Sequence, residues 1–217
     1  MSERLRVAFA LIFSTLLLSG CMQTSQNYAT SKSTGTYFTA PSSWSRISQK
    51  EIATIESASS SSTVKEKLSL TRWAEAYSSS SSVSAADVLS ANAPKSPIAF
   101  AQVRYLSGTE INEASYNFLR DLVFPITGWA EGSISAPTDL SILDDSEVKE
   151  KGASGIHTQI TFTGSDGQLQ TFDQTSLLAN DRRSIYVFLV RCTTTCFEKN
   201  QKVLQKIIDS FTVRGDA

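Results

Sequence analysis

Arg183–Cys192 reads RSIYVFLVRC. Ile185, Val187 and Leu189 alternate with Tyr186, Phe188 and Val190. Successive side chains of a strand point to opposite faces, so both faces of this segment are apolar. A strand that is apolar on both sides must be covered on both sides. The segment is therefore expected as the central strand of a sheet layered on each face.

Working outward, the next segment switches to a helical period. Phe197, Val203, Leu204, Ile207, Ile208 and Phe211 form one stripe, away from Lys199, Lys202 and Lys206. Thr195 with Glu198 three residues on predicts a capping box at the helix start. On the other side, Ser165-Asp166-Gly167 predicts a hairpin turn between strands at Gly155–Thr163 and Gln168–Gln174. Ser146–Lys151 and Ile98–Leu106 read as further strands, and Asn112–Phe124 as a helix ended by Pro125.

Nearer the N-terminus, Thr36–Ile47 reads as strand, turn and return, with Tyr37, Phe38, Trp44 and Ile47 as core residues. A short helix at Glu51–Ser57, a strand at Leu68–Tyr77, with a helix as the alternative there, and one or two helical turns at Ala85–Ala91 follow. The serine runs Ser57–Ser62 and Ser78–Ser82 read as loops. Met22–Gly35 has almost nothing to bury and reads as a flexible tether over residues 21–35, reaching about 50 Å at full extension.

The segments FTAPSSW (Phe38–Trp44), the hairpin around Asp166-Gly167, and IYVFLVRC with CFEKNQKVLQKIIDSFTV (Ile185–Val213) together resemble the PsbP-like superfamily. That group includes LpqN-like actinobacterial envelope lipoproteins. The resemblance implies an α+β fold, a central mostly antiparallel β-sheet sandwiched by helices, in one domain over residues 36–217. It implies a binding or accessory module in a membrane-associated assembly. It carries no catalytic residues, and Ser48–Pro97 has no counterpart in it.

The first residues read as a processing device. Val7–Leu18 (VAFALIFSTLLL) has ten apolar residues in twelve, after a start containing Arg4 and Arg6. As a helix it spans about 18 Å, against about 30 Å for a bilayer core. A basic start, a short apolar middle and a small-residue end make residues 1–20 a secretory signal peptide. A buried helix of the domain is the alternative, but the run lacks the polar face such a helix needs. Leu18-Ser19-Gly20-Cys21 resembles the bacterial lipobox. That resemblance implies cleavage before Cys21, a diacylglycerol on its thiol, and a lipid anchor in the cell membrane on the extracytoplasmic face. Two or more acyl chains anchor stably, at about 0.8 kcal/mol per buried methylene. An ordinary signal peptide or an uncleaved anchor would leave Cys21 unmodified.

With Cys21 assigned to lipid, Cys192 and Cys196 remain. An oxidising envelope then predicts one disulfide. A redox pair is the functional alternative, although Cys-x3-Cys differs from the Cys-x-x-Cys of thioredoxin-like enzymes, and two free thiols are a third. Without Arg4, Arg6 and Glu3, the chain keeps 18 basic and 20 acidic residues of its 20 and 21. A near-neutral balance without a basic cluster argues against a general nucleic-acid binder. The expected partners are the membrane, through Cys21, and an envelope protein or ligand. No cofactor is expected.

Residues suited to catalysis are sparse. His157 is the only histidine. On a strand it shares a face with Gln159, Thr161 and Thr163, opposite Ile156, Ile160 and Phe162, and so is expected to face solvent. A Ser-His-Asp triad would need it, but no Gly-x-Ser-x-Gly elbow accompanies it. Asp144, Asp145 and Glu147 form an acidic cluster without the alternating ligand loop of a calcium site, and read as a solvated turn. Gly128-Trp129 offers an aromatic for binding or for burial, and burial is expected. The leading expectation is a non-catalytic binding or accessory lipoprotein. The alternatives are an envelope hydrolase using His157 or the acids near Asp144, and an assembly factor for a membrane complex.

Overall fold

A computed structural model describes residues 25–215. Residues 1–20, read as a signal peptide, and Cys21 lie outside the described residues. The fold is α+β: a seven-stranded antiparallel sheet, a three-stranded sheet and helices on both faces. The large sheet contains β3 (Ser45–Ile47), β4 (Thr71–Ser78), β5 (Ile98–Tyr105), β6 (Ser141–Lys149), β7 (Ala153–Thr163), β8 (Leu169–Ala179) and β9 (Ser184–Thr193). Its order is β3-β4-β5-β9-β8-β7-β6, so β9 is the fourth of seven strands. The RSIYVFLVRC segment is thus central, as its two apolar faces require, and every residue from Ser184 to Cys192 is buried.

Tyr186, Phe188, Val190 and Cys192 face the long C-terminal helix, α7 (Thr194–Ile208), and the small sheet. Phe188 stacks on Phe211 with centroids 4.7 Å apart and lies 5.0 Å from Phe38. Val187 and Leu189 face the other way, into a cluster with Ile52, Phe100, Ile126, Phe162 and Phe172. Its cover comes from α1 (Gln49–Ser57), α3 (Ala85–Leu89) and α6 (Ile126–Glu131). Trp129 of α6 packs on Phe124 and Phe162 at 5.7 and 5.5 Å.

Local chemistry sets several boundaries. Ser48 and Glu51 form a reciprocal capping box at α1. Gly167, at φ +76, supplies the left-handed turn residue that joins β7 to β8. Cys192 and Cys196 are joined by a disulfide, which links the end of β9 to the first turn of α7.

Four expectations are corrected. The tether does not extend to Gly35: Gln26–Ser31 is β1, which with β2 (Thr36–Pro41) and β10 (Thr212–Val213) makes the small sheet. Its polar sequence suffices because β2 satisfies its backbone, Ala29 and Ser31 turn inward, and the Asn27 amide donates to Pro41 O and Trp44 O. The Asn112–Phe124 helix is broken into α4 (Glu110–Glu113) and α5 (Tyr116–Arg120). Ser115 starts the second piece by accepting from the Phe118 N–H, and Arg104 draws Glu110 aside with hydrogen bonds of 2.6 and 2.7 Å. The strand expected over Leu68–Tyr77 begins only at Thr71, because the stretch between the two serine runs opens with a helix, α2 (Ser62–Leu70), capped by Ser61. This helix buries no residue fully, so no apolar stripe marks it. Finally, α7 starts at Thr194 with Thr193 as its N-cap, so Thr195 lies inside the helix and the expected capping box is not formed.

Candidate functional site

Strand register assembles a polar cluster that runs from the exposed edge strand to a buried carboxylate. The hairpin pairs Gln159 with Asp173 and His157 with Thr175. On the other side of β7, Asp144 pairs with Gln159 and Ser146 with His157. Asp144, Ser146, His157, Gln159 and Asp173 therefore share the sheet face that carries α7. His157 Nδ1 lies 2.6 Å from Asp144 Oδ2, and Nε2 lies 3.1 Å from Asp173 Oδ1. Gln159 Nε2 donates to Asp173 Oδ2 at 2.8 Å, and Ser146 Oγ donates to Asp144 Oδ2 at 2.9 Å. Asp173 is 1% exposed, and the His157 side chain 19%.

Burial opposes charge on His157, but the hydrogen bonds and charges of Asp173 and Asp144 outweigh it and raise the pKa to about 9. The hydrogen bond from His157 holds the Asp144 carboxyl below its usual range. At neutral pH the ring is an imidazolium that donates from both nitrogens. It straps β6, β7 and β8 together.

The expectation of a solvent-facing His157 is therefore corrected: cross-strand carboxylates and the cover of α7 half-bury it. The acidic cluster is likewise not a turn. It lies on the edge strand β6, where alternation sends its members to opposite faces. Asp144 meets His157, whereas Asp145 takes Arg120 in a two-pronged ion pair at 2.8 and 3.0 Å on the other face. Thr158 Oγ1 also donates to Asp145. Glu147 shares Asp145's face, so the three acids do not converge on one point.

Beside His157, a groove of about 290 Å³ runs between β6–β8 and the second half of α7. Val148, Leu177, Ile208 and Phe211 make its apolar wall, with Glu150, Gln205 and Asp209 also lining it.

Two further networks escape sequence reasoning. Glu75 is buried and receives Arg46 at 2.9 and 3.0 Å and the Tyr77 hydroxyl at 2.8 Å. Burial, then the bond to Glu75, pushes the Tyr77 phenol up to about 12. Arg191, on the face opposite His157, donates from Nη2 to the carbonyls of Asp87, Val88 and Ser90 at 2.9, 3.1 and 2.6 Å. It thereby fastens the end of α3 to the sheet.

No family model and none of the curated proteins matches this chain. In overall fold the chain is similar to LpqN, involved in cell envelope biogenesis of Mycobacterium tuberculosis, at TM-score 0.47 and 11% identity, over 87% of this chain and 90% of that one. Cyanobacterial PsbP (CyanoP) from Synechocystis gives TM-score 0.47 and 10% identity, over 89% and 95%. The Ran-binding protein Mog1p of Saccharomyces cerevisiae gives 0.43 and 8%, over 88% and 97%. Identities this low concern the fold alone. No helix among the described residues is long and apolar enough to cross a membrane.

Proposed function

We propose that this chain is a lipid-anchored, non-catalytic binding or accessory module of the bacterial cell envelope. Leu18-Ser19-Gly20-Cys21, closing a short apolar leader, carries this reading: its resemblance to the lipobox supports a diacylglycerol on Cys21 and a folded domain outside the cytoplasmic membrane. The Cys192–Cys196 disulfide suits that oxidising compartment. The geometry of His157 favours binding over hydrolysis. A general base needs a free ring nitrogen within reach of the proton it takes, and a pKa near the working pH. Both nitrogens of His157 face carboxylates, and its raised pKa keeps it protonated at pH 7.

The test uses the native protein purified from a bacterial membrane fraction. Mass spectrometry of the N-terminal peptide is expected to show a diacylglyceryl group on Cys21, and Cys21→Ala should release the protein from membranes. In-cell crosslinking should capture a reproducible envelope partner. Steady turnover of envelope esters, glycans or peptides, abolished by His157→Ala, would overturn the non-catalytic reading.

A further inference from the structure

The strand register draws one line across an end of the large sheet. Ser45 pairs with Ser78, Ser78 with Ile98, Ile98 with Arg191, and Arg191 with Phe172. The loops just beyond this line lie together: Ser42–Ser43, Ser79–Ser82, the segment through Lys95, the Ser165–Gln168 turn, and the disulfide-linked start of α7. The first described residue, Ser25, also lies here. Ser42 N donates to Ser25 O at 3.1 Å, and the two hydroxyls lie 2.5 Å apart.

This position changes the reach of the anchor. β1 is part of the folded body, so the folded residues begin far closer to Cys21 in sequence than a tether to Gly35 would allow. Cys21 and Ser25 are four residues apart in sequence, a span of at most about 14 Å. A lipid on Cys21 therefore keeps this end against the bilayer. The opposite end, at Asn180–Arg183, lies beyond the ten residues of β9, about 33 Å away at the usual strand rise.

The chemistry of the near end suits a headgroup layer. Exposed Lys95 and Lys199 border a depression of about 460 Å³, with Gln168, Leu169, Thr195 and Asn200 around it. Leu169 is 41% exposed. Acids border this end as well: Asp166 in the neighbouring turn accepts from Gln168 N, Asp139 accepts from the Thr163 hydroxyl at the end of β7, and exposed Glu198 precedes Lys199. Lysines at a membrane surface are attracted to anionic lipid, and hydroxyl and amide groups hydrogen-bond its phosphates.

Resting on the lipid anchor proposed above, we infer that the sheet end bearing Ser42, Ser81, Lys95, Leu169 and Lys199 is a bilayer-facing surface whose lysines meet lipid phosphates. The domain then has a fixed polarity, with Asn180–Arg183 directed away from the membrane.

The experiment uses the full lipidated chain in vesicles of phosphatidylethanolamine and phosphatidylglycerol. Single substitutions Ser81→Cys and Asn180→Cys each add one thiol for a fluorophore, since Cys21 is alkylated and Cys192–Cys196 oxidised. Lipids carrying a headgroup nitroxide are expected to quench the fluorophore at position 81 at least threefold more than at position 180. Equal or reversed quenching, with the protein still floating with the vesicles, overturns the orientation and leaves the anchor standing. Failure to float overturns both. Combining Lys95→Glu and Lys199→Glu is expected to reduce quenching at position 81 by half or more; unchanged quenching overturns the headgroup contact.

Discussion

His157 and Arg191 are cationic side chains on opposite faces of one sheet, and burial moves them in opposite directions. On the α7 face, two carboxylates flank His157 and raise its pKa to about 9 despite desolvation. On the other face, Arg191 meets three backbone carbonyls, and burial lowers its pKa to about 10, with the more distant charge of Asp87 opposing. Partner charge explains the difference. A carboxylate returns to a buried cation the electrostatic stabilisation it lost from water, whereas neutral carbonyl dipoles return only part of it. Arg191 stays charged at neutral pH because it starts so high. His157 is charged at neutral pH only because of where the strands place Asp144 and Asp173.

The sharpest way to break this comparison is Arg191→Met. It leaves the Asp87, Val88 and Ser90 carbonyls without their donor and loosens α3 from the sheet. Urea unfolding should show a loss of about 3 kcal/mol, with faster amide exchange in Ala85–Leu89. A loss below about 1 kcal/mol would mean that the guanidinium does not hold α3.

On the other face, Asp173→Asn keeps the shape and removes the buried charge. Stability at pH 7 should fall by about 2.5 kcal/mol. The His157 pKa, followed by NMR of the ring, should drop. An unmoved pKa would show that Asp144 alone sustains the charge.

Removing the disulfide with paired Cys192→Ser and Cys196→Ser changes the joint between β9 and α7 but neither cation. Closing a loop this short is worth about 2 kcal/mol. The His157 titration is expected to stay in place. A shift would couple the joint to the site.

The smallest effect is the pH dependence itself. The folded pKa of His157 lies above its unfolded value, so its contribution is full below about 6.5 and is lost as pH rises through about 9. After allowance for the water still reaching the ring, this amounts to about 1.5 kcal/mol. The stability difference between the native chain and His157→Gln, measured from pH 6 to pH 10, should shrink by that amount. A constant difference would refute the assignment.

Parts of this were legible in the residues. The double alternation of Ile185–Val190 announced a central strand, because period-two burial is written locally. Asp166-Gly167 announced the β7–β8 turn for the same reason. That turn also carried an unused signal. Pairing Thr163 with Leu169 fixes the register, and counting back along the hairpin brings Asp173 beside His157, although 16 residues separate them. Asp144 could not be reached this way. The β6 register shifts between Ile142 and Asp144, and that irregularity leaves no mark in composition. β1 and α2 were illegible because neither owes its existence to an apolar stripe: β1 depends on the backbone of β2, and α2 on a serine cap.

By itself, then, the sequence determined a two-faced central strand, a hairpin turn and an amphipathic last helix. Each follows from spacing along the chain, which local sterics and hydrophobic burial read directly. Only the tertiary structure decided that His157 stands between two carboxylates, that Asp144 and Asp145 part to opposite faces, and that Gln26–Ser31 is a strand of the small sheet. Those outcomes depend on register between distant strands, which is settled by the packing of all of them at once.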